Sequence, residues 1–138
     1  MIHEATYLTQ VQTHSALETH GLLVRWDGPD AMTVWASTQG IFSVRDELAE
    51  VFGVPPRNVH VITEYLGGGF GAKFGASAPG SRLGFIAGEL SRTAKAPVKL
   101  MCDRHEEHVC TGNRPDSCLL YTSPSPRDRT RSRMPSSA

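Results

Sequence analysis

Gly21-Leu22-Leu23-Val24-Arg25-Trp26-Asp27-Gly28-Pro29-Asp30-Ala31-Met32-Thr33-Val34-Trp35-Ala36-Ser37-Thr38-Gln39-Gly40 decides the fold class. β-Branched and aromatic residues flank Asp27-Gly28-Pro29-Asp30, a turn-forming composition, so residues 21–26 and 32–36 read as two strands of a hairpin. Trp26 and Trp35 are available to its buried face or to an interface. Beyond Gly40 the period changes: Ile41, Val44, Leu48, Val51 and Phe52 recur at three- and four-residue steps, an amphipathic helix of about three turns. Ser37 or Thr38 is the expected cap at its start, and Gly53 followed by Pro55-Pro56 is the expected stop.

Working outward, residues 6–13 alternate and predict a strand before the hairpin. The resulting three-stranded start carries an apolar face with no visible partner, so marginal folding is expected of so small a domain. Asn58 to Tyr65 predicts a further strand, running into Gly67-Gly68-Gly69-Phe70-Gly71-Ala72-Lys73. Leu83, Ile86, Ala87, Leu90 and Ala94 outline a second helix after the Gly/Ser/Ala/Pro stretch 75–81, and Val98-Lys99-Leu100-Met101 a short strand. Asp103 and Glu106 have the spacing of a capping box. The order β-β-β-α-β-α-β is that of an α+β domain with a mixed sheet.

The chain has 138 residues with 14 basic and 14 acidic side chains. Zero net charge gives no electrostatic reason to expect nucleic acid or an anionic membrane as partner. No stretch approaches the roughly 20 apolar residues of a membrane span, and Met1-Ile2-His3-Glu4 lacks the basic and then apolar regions expected of a signal peptide. Cys102, Cys110 and Cys118 are odd in number and form no CxxC pair, so reduced thiols in a cytoplasmic setting are expected. Residues 116–138 differ in kind: Arg127, Arg129, Arg131 and Arg133 stand against Asp116 and Asp128, with six Ser, three Pro and Tyr121 as the one aromatic. They cannot bury enough surface to offset the entropy of ordering, so the segment is read as disordered or non-native. The run Ser123-Pro124-Ser125-Pro126-Arg127-Asp128-Arg129 also has the look of translated cloning DNA.

The glycine loop is the sharpest chemical feature, because consecutive glycines admit positive φ and close approach of a ligand to the backbone. A P-loop is excluded, since Ala72 and Phe74 flank Lys73 where glycine and a hydroxyl residue are required. Gly67, Gly69 and Ala72 meet the dinucleotide pattern formally, but its acidic partner would be Glu89, in mid-helix. His105-Glu106-Glu107-His108 lacks the four-residue histidine spacing of a zincin, leaving solvated or capping roles. Glu18-Thr19-His20, at a strand entrance, predicts a buried structural hydrogen-bond cluster. Gln39 stands at a strand end before a helix, where an amide can donate to a bound oxo or phosphate oxygen, while the residue taken alone reads as a solvated loop glutamine.

Five segments in order resemble one family: Gln12-x-His14-x-x-x-Glu18-Thr19-His20, Val34-Trp35-Ala36-Ser37-Thr38-Gln39-Gly40, Gly67 to Lys73, Pro97 to Arg104 with Glu106, and Thr111-Gly112-Asn113-Arg114-Pro115. Together they are similar to the large, molybdopterin-binding subunit of the xanthine dehydrogenase and aldehyde oxidoreductase enzymes, over residues 4–115. The resemblance implies a partial molybdopterin-binding domain in 1–115 and a disordered or non-native tail in 116–138. It implies a parent oxidoreductase that hydroxylates an aldehyde or heterocycle with water-derived oxygen. The cofactor would be molybdenum-molybdopterin, with the cytosine dinucleotide among its forms, and electrons would pass to 2Fe-2S and FAD on partner subunits or domains. Gln39 corresponds to the glutamine beside the molybdenum's oxygen or sulfur ligands, and Gly69, Phe70 and Gly71 to the loop packed against that centre.

Phe74 departs from the xanthine-type pattern, which has a purine-binding glutamate there, and points to an aldehyde or apolar heterocycle. The family's general base and remaining pterin contacts lie downstream of this chain, so the isolated fragment is expected to be inactive, with no catalytic residue and no metal ligand of its own. The parent is expected in the cytoplasm, although relatives exported to the periplasm exist. The alternative from the residues alone is a small phosphate- or nucleotide-binding module whose arginine tail contacts RNA. A third reading is a non-catalytic remnant that interacts with an iron–sulfur or flavin subunit.

Overall fold

A computed structural model describes residues 3–76 and 82–123. The chain divides into two units, residues 13–113 and the two flanking segments together. In the larger unit, the hairpin of β2 (Gly21–Trp26) and β3 (Met32–Ala36) forms as the sequence predicts, with Val24 opposite Val34. β4 (Val59–Ile62) lies parallel to β3, reached through helix α1 (Ile41–Phe52), while β5 (Val98–Met101) lies antiparallel to β2 after helix α2 (Leu83–Ala94). The sheet is therefore mixed, in the order β4-β3-β2-β5. A short helix α3 (Arg104–Cys110) follows β5, opened by the reciprocal Asp103–Glu106 capping box that the sequence spacing suggested.

The period-two pattern of the hairpin sends Leu22, Val24, Met32, Val34 and Ala36 to one side, where they meet Val44, Leu48 and Ala49 of α1 and Ala87 of α2 in a single core. Gly88 lets α2 come close: a Cβ there would lie 2.4 Å from the Phe52 ring. Phe52 meets Trp26 edge-to-face, and the Trp26 indole N–H donates to the Gly88 carbonyl. The opposite sheet face keeps Trp35 and Met101 exposed along a cleft of about 410 Å³. Of the two tryptophans, Trp26 packs partly buried against the core and Trp35 lies exposed on the opposite face.

The first strand departs from expectation. β1 (His3–Thr9) does not extend the hairpin but pairs antiparallel with β6 (Ser117–Ser123), from His3 opposite Ser123 to Thr9 opposite Ser117. Residues 117–123, expected without order, are thus a strand, because main-chain pairing needs a neighbouring edge and no particular side chains. Gln12 and Arg114 add an isolated bridge beside this ribbon. The expectation for 124–138, and that for the stretch 77–81, lie outside the described residues. The capping expectation also changes: α1 starts after Gly40 with no side-chain cap, and the Thr38 hydroxyl, which donates to the Lys73 carbonyl, accepts the N–H of Gly40, ahead of the helix. Gly53 ends α1 in the left-handed conformation, as its position suggested.

Candidate functional site

Gln39 and the glycine loop meet directly. The Gln39 side-chain carbonyl accepts the N–H of Gly71 at 3.0 Å and of Lys73 at 3.3 Å, and its main-chain N–H donates to the Lys73 carbonyl at 2.7 Å. Two N–H donors on Oε1 fix which end of the amide is oxygen. The –NH2 end makes no hydrogen bond among the described residues, and the residue is exposed. The loop turns tightly here: the Ala72 N–H donates to the Gly69 carbonyl, with Phe70 at φ 52° and Gly71 at φ 91°. Phe70 is 61% exposed in that left-handed conformation.

The glycines serve different contacts. A Cβ on Gly69 would fall 2.4 Å from the Gln39 amide, and one on Gly67 would fall 2.5 Å from Glu18 Cβ, whereas one on Gly71 would meet open space. Two of the bare positions are thus filled by the protein's own side chains. Gly71 is the one in this turn whose missing side chain leaves room for something else.

Beneath the turn lies a set of buried polar groups. Lys73 is only 2% exposed, and its ammonium donates to the Glu18 carbonyl and the Ser37 hydroxyl, each at 2.7 Å, with the Glu18 carboxylate 3.5 Å away. That carboxylate accepts the Gly67 N–H at 2.7 Å. Burial works to raise the Glu18 carboxyl, but the Gly67 N–H, the Ser37 hydroxyl and the Lys73 ammonium outweigh it and hold it below 4.5. Burial pushes Lys73 below its usual 10.5, opposed by Glu18.

At the loop's far end His20 lies buried between the Ala72 carbonyl, 3.0 Å from Nε2, and the Glu107 carboxylate, 2.9 Å from Nδ1. The cluster expected around His20 is therefore present. Its carboxylate, Glu107, is 2% exposed and corrects the reading of the His105–His108 run as wholly solvated or capping. Burial tends to raise the Glu107 carboxyl too, but the His20 main-chain and ring N–H groups and the nearby Lys73 charge hold it below 4.5.

A family model described as the molybdopterin cofactor-binding domain matches residues 1–128. The chain belongs to that family. The aldehyde oxidoreductase molybdenum-binding subunit PaoC of Escherichia coli (strain K12) is 38% identical over 112 residues, 81% of this chain and 15% of that protein. Xanthine dehydrogenase/oxidase of Gallus gallus is 32% identical over 104 residues, 75% of this chain and 7% of that protein. The structure of quinoline 2-oxidoreductase from Pseudomonas putida 86 superposes with a TM-score of 0.78 at 21% identity, covering 88% of this chain and 15% of that one, a likeness of fold. The chain is thus a segment spanning about 15% of the length of a molybdenum-binding subunit it matches.

Within this family segment the structure brings Gln39, Gly69 and Gly71 into one turn, with Phe70 at its exposed apex. No group of three or more His, Cys, Asp or Glu suited to a metal ion occurs among the described residues. Lys73 and Glu107 escaped sequence reasoning as participants. The one signal for Lys73 was its place at the end of the glycine run. Glu107 had only its neighbour Glu106, which took the capping role.

Proposed function

We propose that this segment forms one wall of the molybdenum site in a hydroxylase subunit, with Gln39 as hydrogen-bond donor and Gly69-Phe70-Gly71 as the backbone packed against the cofactor. The orientation of the Gln39 amide carries the reading. Its oxygen is engaged by Gly71 and Lys73, so the –NH2 end of this exposed residue suits an oxygen or sulfur acceptor. The open space beside Gly71 fits a group that approaches the backbone closely. When bound, the molybdenum cofactor supplies the redox chemistry that transfers a water-derived oxygen into a substrate C–H bond. This chain's own part is positioning: the Gln39 amide donates one directed hydrogen bond, and the turn is held without a side chain at its closest points.

A phosphate-cradling module is the weaker reading. The Gly67, Gly71, Ala72 and Lys73 amides already donate within the protein, which leaves few of the loop's N–H groups for an anion. Phe74, exposed beside Gly40, presents an aromatic ring and favours an aldehyde or apolar heterocycle over a purine. By the same family reading the parent takes molybdopterin, as the cytosine dinucleotide in some members, and passes electrons to 2Fe-2S and FAD partners. With about 15% of the length of a matched subunit, the isolated chain is inactive.

The test is a graft. Residues 4–115 replace the matching stretch of the Escherichia coli aldehyde oxidoreductase subunit. Molybdenum content and aldehyde-dependent dye reduction are then measured beside the 138-residue chain alone. The graft should hold molybdenum and turn over, whereas Gln39→Ala in it should keep the metal and lose about a hundredfold in turnover, the effect of one directed donor. The chain alone should hold none. Equal turnover with and without the Gln39 amide would overturn the proposed role.

A further inference from the structure

The glycine loop is held at Ala72 by a buried, hydrogen-bonded pair, His20 and Glu107. Both ring nitrogens of His20 face acceptors: the Glu107 carboxylate at 2.9 Å from Nδ1, and the Ala72 carbonyl at 3.0 Å from Nε2. An imidazole with one proton can satisfy only one of them, and an unsatisfied contact in so buried a place is costly. Glu107 Oε2 also accepts the His20 main-chain N–H at 2.7 Å, so the carboxylate grips the residue at two points. We infer that His20 carries both ring protons, and that the His20–Glu107 ion pair is the positioning element that fixes the Ala72 carbonyl and, through it, the turn that meets Gln39.

The path from the pair to the turn is short. Ala72 closes the turn with its N–H on the Gly69 carbonyl, and its own carbonyl is the atom His20 holds. Lys73, next in the chain, is locked by Glu18 and Ser37 on one side and by Thr38 and Gln39 on the other. The pair itself has a rigid base. Helix α3 carries Glu107, is capped at Asp103, and ties back through the Arg104 guanidinium, which donates to the carbonyls of Ala16 and Leu17 at 2.7 Å each. The Cys102 N–H donates to the His20 carbonyl at 2.8 Å. Besides His20, the charge acting on Glu107 is the Lys73 ammonium, and Ala72 meets the His20 ring through its main-chain carbonyl.

This inference rests on the proposed role of the loop for its functional meaning, but its test reads the loop without the cofactor. In the 138-residue chain labelled with nitrogen-15 histidine, both His20 ring nitrogens should give N–H signals. In Glu107→Gln that doubly protonated signature should vanish, and amide exchange across residues 67–73 should speed up about tenfold or more, while exchange in α1 and β4 changes less than about twofold. A single ring N–H on His20 in the unaltered chain overturns the inference whatever the variants do. Acceleration of every element alike in Glu107→Gln also overturns it, because the pair would then be a general support. Should the graft fail to turn over while His20 and the loop behave as stated, the cofactor reading falls and the positioning pair stands.

Discussion

The glycine-loop region and the β1–β6 ribbon are held by opposite means. In the loop region the polar side chains Lys73, His20, Glu107 and Thr38 are all buried, and each meets named partners from distant parts of the chain. In the ribbon a seven-residue ladder pairs main chain to main chain, while Leu8 and Leu120 remain 77% and 66% exposed. An isolated two-stranded ribbon is marginal in water, whereas buried polar groups are costly unless every one is satisfied. The first region therefore has essentially one arrangement available to it. The second is specified by little more than the availability of two edges.

The largest expected effect comes from removing the loop's central cation. Lys73→Met keeps most of the side chain's apolar stem but leaves the Ser37 hydroxyl, the Glu18 carbonyl and the half-buried Glu18 carboxylate without their donor. The unfolding free energy should drop by about 3 kcal/mol, the low end for breaking a buried pair from one side. A urea denaturation series measures it. A loss below about 1 kcal/mol would mean that the buried polar set is replaceable packing and would erase the contrast with the ribbon.

Acid should act on the same region. Glu18 and Glu107 are both held below the ordinary 4.5 in the folded chain. The unfolded chain therefore takes up protons at these carboxylates at higher pH than the folded chain does. Below about 4.5 the unfolded state binds more protons, so this contribution to stability is full above that pH and is lost as pH falls through the lower folded values. Melting temperatures taken from about pH 7 down to pH 3 should fall more steeply in the unaltered chain than in Glu18→Gln, which has no such proton to gain. Parallel curves would show that the Gly67 and Lys73 contacts do not favour the Glu18 carboxylate in the folded state.

What could be read from the sequence follows the same division. The hairpin, both long helices and β4 and β5 were legible because each is written locally, as a period of two or of three to four residues ending in Gly or Pro. The His20 cluster was legible from its composition at a strand entrance. Thr38 was not, because a hydroxyl three residues before the first residue of a helix looks like a cap, and only the fold brings the Lys73 carbonyl within 3.0 Å of it. Lys73 and Glu107 look like surface charges until tertiary structure places them 2% exposed beside their partners. β6 was illegible for the converse reason: Ser117-Cys118-Leu119-Leu120-Tyr121-Thr122-Ser123 has no alternation that selects a face, and pairing with β1 asks for none. A run of glycines predicts room for a ligand, whereas Gly67 and Gly69 make room for Glu18 and Gln39.

The smallest expected effect tests the ribbon. Leu120→Ser removes an exposed side chain from β6, so the unfolding free energy of the chain, read by urea denaturation, should change by less than about 0.5 kcal/mol. Cysteine labelling reads the two regions separately in the same sample, because Cys118 lies exposed in β6 while Cys102 is buried at the end of β5. Burial, with Glu106 and Glu107 nearby, pushes the Cys102 thiol up from 9.0 to about 11. That shift alone lowers its reactive thiolate about a hundredfold near neutral pH, and burial slows access further. Cys118 should react with iodoacetamide at the rate of the unfolded chain, before and after the Leu120 substitution, while Cys102 stays at least about a hundredfold slower in both. Protection of Cys118 that Leu120→Ser removes would show a ribbon stabilised by its side chains. Backbone pairing alone could not then account for β6, and its contrast with the loop region would shrink to one of degree.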